Sequence, residues 1–227
     1  MIKLFALILA VAGLRQSASP PPLPAPLSAK DLNSLVAAVD KTFASMKDFS
    51  TDFVQFSPNF VNRNQSAEGH LYLTKDRKMR WDYSKPEEMH YVSDGKTLYT
   101  YISASREVTK EAIKESDADQ IPLMFLVGRA NLKKEFQEPT ELKTAPVVSG
   151  NRVLHLVPKK KLEDIQSIDI EVNPRTNLID RMIIWDGDNR KNELIFINIV
   201  VNSNIAADKF VFKVPPGVRV IQGSGSK

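Results

Sequence analysis

The chain has 227 residues, 42% of them apolar, and no cysteine. That is enough for one sizeable core, and it excludes disulfides, thiolate metal sites and cysteine nucleophiles. Its 31 basic residues against 27 acidic give a formal net charge of +4, yet no Lys/Arg stripe with interleaved aromatics appears, which argues against a nucleic-acid partner.

Met1 to Leu14 carries Lys3 and then an apolar run of about 11 residues from Leu4, shorter than the roughly 20 a membrane span needs. It reads as a secretory signal peptide. Cleavage is expected near Ala18 or Ser19, with Ala10-Val11-Ala12 as the other small-residue site and an uncut anchor as the minor alternative. Removing residues 1–19 takes away Lys3 and Arg15, so 31 basic residues become 29 against 27 acidic, a net charge of +2. The proline-dense stretch within residues 20–27 has no core pattern and reads as an extended spacer. A single domain over residues 28–222 and a flexible tail at 223–227 complete the expected organisation.

Ser28 with Asp31 three residues on makes a capping box. Leu32, Leu35, Val36, Val39, Phe43 and Met46 then recur at helical spacing, which predicts an amphipathic helix lying on a sheet. Strands are predicted at Phe49–Phe56, Ser66–Thr74, Lys78–Tyr83, Met89–Ser93 and Thr97–Ile102. Within them Leu71, Leu73, Met79, Trp81 and Tyr83 share one face while Lys78, Arg80 and Asp82 point the other way. Asp94-Gly95 predicts a tight hairpin, of type I′ with positive φ at both central residues.

Between the two halves, Gln120–Arg129 is apolar around nearly its whole circumference, with Pro122 near its start and Gly128 near its end. A short helix of that kind must be buried on more than one side or cover something apolar. Further strands are predicted at Arg152–Val157, Gln166–Val172, Leu178–Trp185, Glu193–Val201 and Phe210–Val214. Asn173-Pro174-Arg175 and Asp186–Asn189 are the turns between them. Lys159-Lys160-Lys161 reads as a solvated loop after Pro158, with a membrane-surface contact as the lesser reading. The fold class expected is mainly β (α+β), an antiparallel sheet curled into a partly closed barrel.

Catalytic patterns are absent: no Gly-x-Ser-x-Gly elbow, no phosphate-binding Walker loop, no His-Glu-x-x-His. His70, His90 and His155 fall on separate strands and read as packed or surface histidines rather than metal ligands. The pairs Asp117/Asp119 and Asp186/Asp188 fit turn and cap roles better than paired acids or calcium ligands. Neither an enzyme nor a cofactor is expected, and an exported hydrolase finds no nucleophile arrangement.

Five segments in order resemble the LolA family of periplasmic lipoprotein carriers. They are Asp52-Phe53-Val54-Gln55, Gly69 through Tyr83, Val92 through Tyr99, Pro122-Leu123-Met124 with Leu126 and Arg129, and Phe210 through Val218. The resemblance implies an incomplete β-barrel with an N-terminal helix and a short helical lid over a hydrophobic cavity that holds the acyl chains of a triacylated lipoprotein. By the same resemblance the chain has no catalytic centre, acts as a monomer in the periplasm, loads from a LolCDE-like inner-membrane complex and unloads to a LolB-like receptor or acceptor membrane. The acyl-chain wall it implies comprises Phe53, Leu71, Leu73, Met79, Trp81, Met89, Tyr91, Leu98, Ile121, Leu123, Met124, Leu126, Ile168 and Ile170.

A family arginine followed by proline, which latches the lid to the barrel mouth, falls here at Lys75-Asp76. Lysine donates to carbonyls but lacks the planar fork. The latch implied by the resemblance is then either Lys75 or, where the strand continues so that it shares Lys75's face, Arg77. Met79 stands where the family has an aromatic, and its flexible thioether suits variable chains. The alternative is a binding module of the same fold, for another lipid or as an envelope-stress sensor of mislocalised lipoprotein.

Overall fold

The structure is a computed structural model that describes residues 24–57, 66–113, 126, 131–162 and 165–223. Its first element follows from the cap. Ser28 is extended, its hydroxyl accepts from the Asp31 amide at 3.2 Å and donates to the Asp31 carboxylate at 2.6 Å. From that cap α1 runs over Ala29–Ser45 and buries Val36, Val39 and Phe43, the predicted stripe.

Twelve strands follow among the described residues: β1 Asp48–Phe56, β2 Ser66–Thr74, β3 Lys78–Lys85, β4 Met89–Asp94, β5 Thr97–Ile102, β6 Glu107–Ala112, β7 Thr140–Glu141, β8 Arg152–Leu156, β9 Ser167–Val172, β10 Ile179–Trp185, β11 Lys191–Val201 and β12 Arg219–Gln222. A four-residue helix, α2, occupies Leu132–Glu135. All the strands belong to one sheet in the order β12-β6-β5-β4-β3-β2-β1-β11-β10-β9-β8-β7. Pairing is antiparallel except between β12 and β6, which run parallel. The sheet curves without closing, so the chain is mainly β with an open, incomplete barrel.

Several local expectations are corrected. The hairpin at Asp94-Gly95 forms, but Gly95 alone has positive φ, at 95°, and the in-register pair Ser93–Leu98 flanks it. Type I′ needs positive φ at both central residues, so the turn is not of that type. The Asp94 carboxylate caps it by accepting from the amides of Lys96 and Thr97, each at 2.8 Å. Strands β6, β7 and β12 were not expected; β6, with its Glu-Val-Thr-Lys-Glu-Ala sequence, is too polar to carry an apolar alternation.

Phe210–Val214 is not a strand. Residues Ala207–Phe210 form a 3-10 turn that buries Phe210, and Phe212 then stacks on Tyr99 with ring centroids 5.6 Å apart. The alternating apolar residues dock side-on against the sheet, and Pro215 and Pro216 next to them have no amide to give a ladder. Arg80 and Lys209 fasten this strap, the guanidinium donating to the Lys209 carbonyl at 3.2 Å. Arg77 does not lie on a continuing strand face: β2 ends at Thr74, and Arg77 sits in the turn with φ of 70°. The lid segment Gln120–Arg129 lies outside the described residues apart from Leu126. No helix among the described residues is long and apolar enough to cross a membrane.

Candidate functional site

The strand registers assemble one continuous apolar face beneath α1. One row runs Thr100, Tyr91, Trp81, Leu71 and Thr51 from β5 to β1. A second runs Ile102, Met89, Tyr83, Gly69, Phe53 and Phe196, reaching β11. A third runs Leu98, Ser93, Met79, Leu73, Phe49 and Val201. Past β11 the face continues through Leu194, Met182, Ile170 and Leu154, with Ile184, Ile168 and Leu156 alongside.

Phe53, Leu71, Leu73, Leu126, Ile168 and Ile170 are fully buried in the cluster that α1 covers, and Met79, Trp81, Met89 and Tyr91 are half-buried against it. Leu98 is half-buried on the same face farther out. The cover is incomplete in a graded way: burial is full over β1, β2 and β9 and falls off across β3, β4 and β5. Ile121, Leu123 and Met124 lie outside the described residues.

Aromatic rings set the shape of the middle of this wall. Gly69 lacks the Cβ that would collide with the Asp82 carbonyl and come within 2.9 Å of the Phe53 ring. The vacated space lets Phe53 meet Tyr83 at 5.0 Å and Trp81 at 5.4 Å, both edge-on. Tyr83 donates its hydroxyl to Gln55 Oε1 at 2.7 Å, and Gln55 Nε2 donates to Asn192 at 2.8 Å. Burial, with Tyr91 nearby, pushes the Tyr83 phenol above its ordinary range, so it stays neutral at any physiological pH. The wall therefore carries no charge at Tyr83 and Gln55, where its polar atoms are spoken for by one another.

The lid-latch candidates separate. Lys75 Nζ donates to the Ala44 carbonyl in the last turn of α1 at 2.8 Å, and the Lys75 amide bonds the Lys47 carbonyl at 3.0 Å. Arg77 contributes its carbonyl to the Ser93 hydroxyl at 3.1 Å. Lys75 thus bridges the β2–β3 turn to the helix.

The opposite face holds a feature that reading the histidines strand by strand missed. Each of the three histidines sits directly across from an aspartate of the neighbouring strand, with Nδ1 bonded to it: His70 to Asp52 at 2.7 Å, His90 to Asp82 at 2.6 Å and His155 to Asp169 at 2.6 Å. The signal available in the sequence was the hairpin register, which puts His90 opposite Asp82 once β3 and β4 are paired. Asn198 and His70 hold the Asp52 carboxyl below the ordinary carboxylate range. Burial raises Asp82, but His90 and Arg80 outweigh it and the net shift is downward. Asp82 in turn raises His90. No group of three or more potential metal ligands occurs among the described residues. Asp186 accepts from the amides of Asp188 and Arg190, both at 2.9 Å, so it serves its turn; Asp117 and Asp119 lie outside the described residues.

Residues 44–213 match the family model described as outer membrane lipoprotein carrier protein LolA. An outer-membrane lipoprotein carrier protein of Nitrosomonas europaea is 25% identical over 88% of this chain and 93% of its own length. One of Chromobacterium violaceum is 27% identical over 87% of this chain and 92% of its own. Among solved structures, an uncharacterized conserved protein from Thermus thermophilus superposes with a TM-score of 0.54 at 10% identity, covering 85% of this chain and 99% of that one, a likeness of fold alone. With the family's model spanning most of the sequence and its open sheet and covering helix in place, the chain belongs to the LolA family of outer-membrane lipoprotein carrier proteins.

Proposed function

We propose that this protein carries lipoproteins across the periplasm by sheltering their acyl chains against the sheet face beneath α1. The observation that supports the reading is the continuous apolar wall from Leu98 to Ile170, covered by a helix and graded from closed to open, in a chain of this family. On this reading residues 1–19 are the cleaved export signal, loading comes from an inner-membrane complex of LolCDE type, and delivery is to a LolB-like receptor or the outer membrane itself. The protein binds and releases its load and performs no covalent chemistry.

The energetics favour a compliant host. Burying a chain gains about 0.8 kcal/mol per CH₂, so three long chains have a gross term on the order of 30 kcal/mol, while non-covalent affinity saturates near about 20. A bilayer already buries those chains. The carrier need only keep water off them while remaining a slightly poorer host than its acceptor, and an outside energy source must drive loading. Half-buried Met79 and Met89 fit such a wall.

Depletion in the native cell tests the reading. A carrier leaves outer-membrane lipoproteins stranded in the inner membrane, and the purified protein brings acylated lipoprotein with it, detectable by mass spectrometry. Normal sorting after depletion, with only a transcriptional change, would refute the carrier role.

A further inference from the structure

The apolar wall holds a polar atom without a partner. Among the described residues, three buried side-chain polar atoms make no hydrogen bond: Asp40 Oδ2 on α1, His70 Nε2 on the opposite face, and Trp81 Nε1. Of these, the indole of Trp81 belongs to the wall itself, where Phe53 and Tyr83 grip its ring, the latter stacked at 5.7 Å with planes 9° apart. An indole nitrogen is a donor only. Left unmet in an apolar setting it forfeits a hydrogen bond that water would have given it, a cost that calls for a compensating role such as meeting a ligand.

Position specifies the acceptor. In its cross-strand row Trp81 stands between fully buried Leu71 and half-buried Tyr91, with Thr100 beyond. The next strand continues the same face with Glu107, Thr109 and Glu111. In Trp81's row the face thus turns polar on its outer side, beyond Tyr91, at Thr100 and Thr109. A charged acceptor such as a phosphate would be stripped of water at Trp81 at large cost, whereas a neutral carbonyl flanked by hydrocarbon would not. We infer that the Trp81 indole N–H docks the neutral ester or amide carbonyl that joins an acyl chain to the lipoprotein's modified N-terminus, with the tails toward Leu71 and Phe53 and the head toward β5 and β6. This deepens the carrier reading and rests on it. It gives the site a depth gauge: a bare hydrocarbon tail has nothing to offer that donor.

The test compares wild type with Trp81→Phe on three synthetic cysteinyl lipopeptides: a tripalmitoylated one, an analogue with ethers in place of both glyceryl esters, and a dipalmitoylated one lacking the N-acyl amide. Loss of one such hydrogen bond should weaken binding of the tripalmitoylated peptide about three- to tenfold. The deficit should vanish with the ether analogue if an ester is the partner, or with the dipalmitoylated peptide if the amide is. In ¹H–¹⁵N spectra of the wild type, the Trp81 indole proton should move downfield on loading. Equal binding by both proteins, a deficit that persists across all three peptides, or an unmoved indole resonance would overturn the inference while leaving the carrier reading intact. Failure of wild type to bind any acylated peptide better than the unacylated one would overturn both.

Discussion

Lys75 Nζ lies 2.8 Å from the Ala44 carbonyl oxygen, tying the β2–β3 turn to the C-terminal end of α1. A cation at a helix C-terminus meets both an unpaired carbonyl and the negative end of the helix dipole. The contact is solvent-exposed, so its contribution is small, about 0.5–1 kcal/mol. Lys75→Leu should speed amide exchange over Phe43–Lys47 by about two- to fivefold and accelerate transfer of bound lipoprotein to acceptor membranes. Lys75→Arg should restore or tighten the contact. Unchanged exchange and transfer in Lys75→Leu would put control of the helix elsewhere.

His90 and Asp82 give the protein a pH-dependent stability with a definite sign. His90 is raised above its ordinary 6.5 by the Asp82 carboxylate, so its contribution is complete below 6.5 and is lost as pH rises through the raised value. Asp82 is lowered below 3.8, so its contribution is complete above 3.8 and is lost as pH falls through the depressed value. Arg80 and Glu88 are the other charges facing His90. Thermal stability should therefore decline as the pH rises above about 6.5, and His90→Gln should flatten that decline and shrink the part of the acid limb that Asp82 supplies. A wild-type profile flat over that range would contradict the pairing.

Gly69 is a position where one methyl group should disrupt local pairing. Its Cβ would run into the backbone carbonyl of Asp82, which cannot move without breaking β3, and into the Phe53 ring. Gly69→Ala is expected to cost about 2–3 kcal/mol in urea unfolding, at the upper end for overpacking. A loss below about 0.5 kcal/mol, the scale of an ordinary surface substitution, would mean that the two strands can part there without penalty.

Much of this architecture was legible because apolar alternation on β1–β5 and β8–β11 buries one face, and burial forces both strand assignment and register. The same logic put Leu71, Leu73, Met79, Trp81 and Tyr83 on one face. What stayed hidden had no periodic signature. Val92, Val108 and Phe210 are buried on the far side of the sheet, so the run Phe210–Val214 mimicked a strand while serving as a strap. The parallel partner of β6 comes from the far end of the chain, with Arg219 beside Glu107, a pairing that local pattern cannot encode. Trp81's missing partner is a property of its neighbours and not of its own sequence position.

Glu171 shows how a buried charge can organise a loop on the far side of the sheet. It is 1% exposed and accepts from the amides of Val147 and Val148 at 2.9 and 2.8 Å and from Asn151 Nδ2 at 3.1 Å, with Arg181 at 3.5 Å. Removing it strands two amides and part of a guanidinium charge. Glu171→Ala should cost about 3 kcal/mol and expose residues 144–151 to proteolysis, while Val147→Ala, at an exposed side chain, should do neither. Equal protease resistance in Glu171→Ala would mean the loop is held by other contacts.

Met89 offers the cleanest separation of binding from folding. It lies in register with Tyr83 and Ile102 on the apolar face, half-buried where the cover thins. A carboxylate placed there can turn toward water in the empty protein, so Met89→Glu should lower stability by no more than about 1–2 kcal/mol. In the loaded protein the same carboxylate would be stripped of water against the acylated end of the ligand, beside the linkage docked at Trp81, a cost large enough to weaken binding sharply. Met89→Leu, similar in volume and apolar, should bind normally. Should Met89→Glu load a tripalmitoylated peptide as well as wild type does, the acylated end of the ligand does not pack against β4.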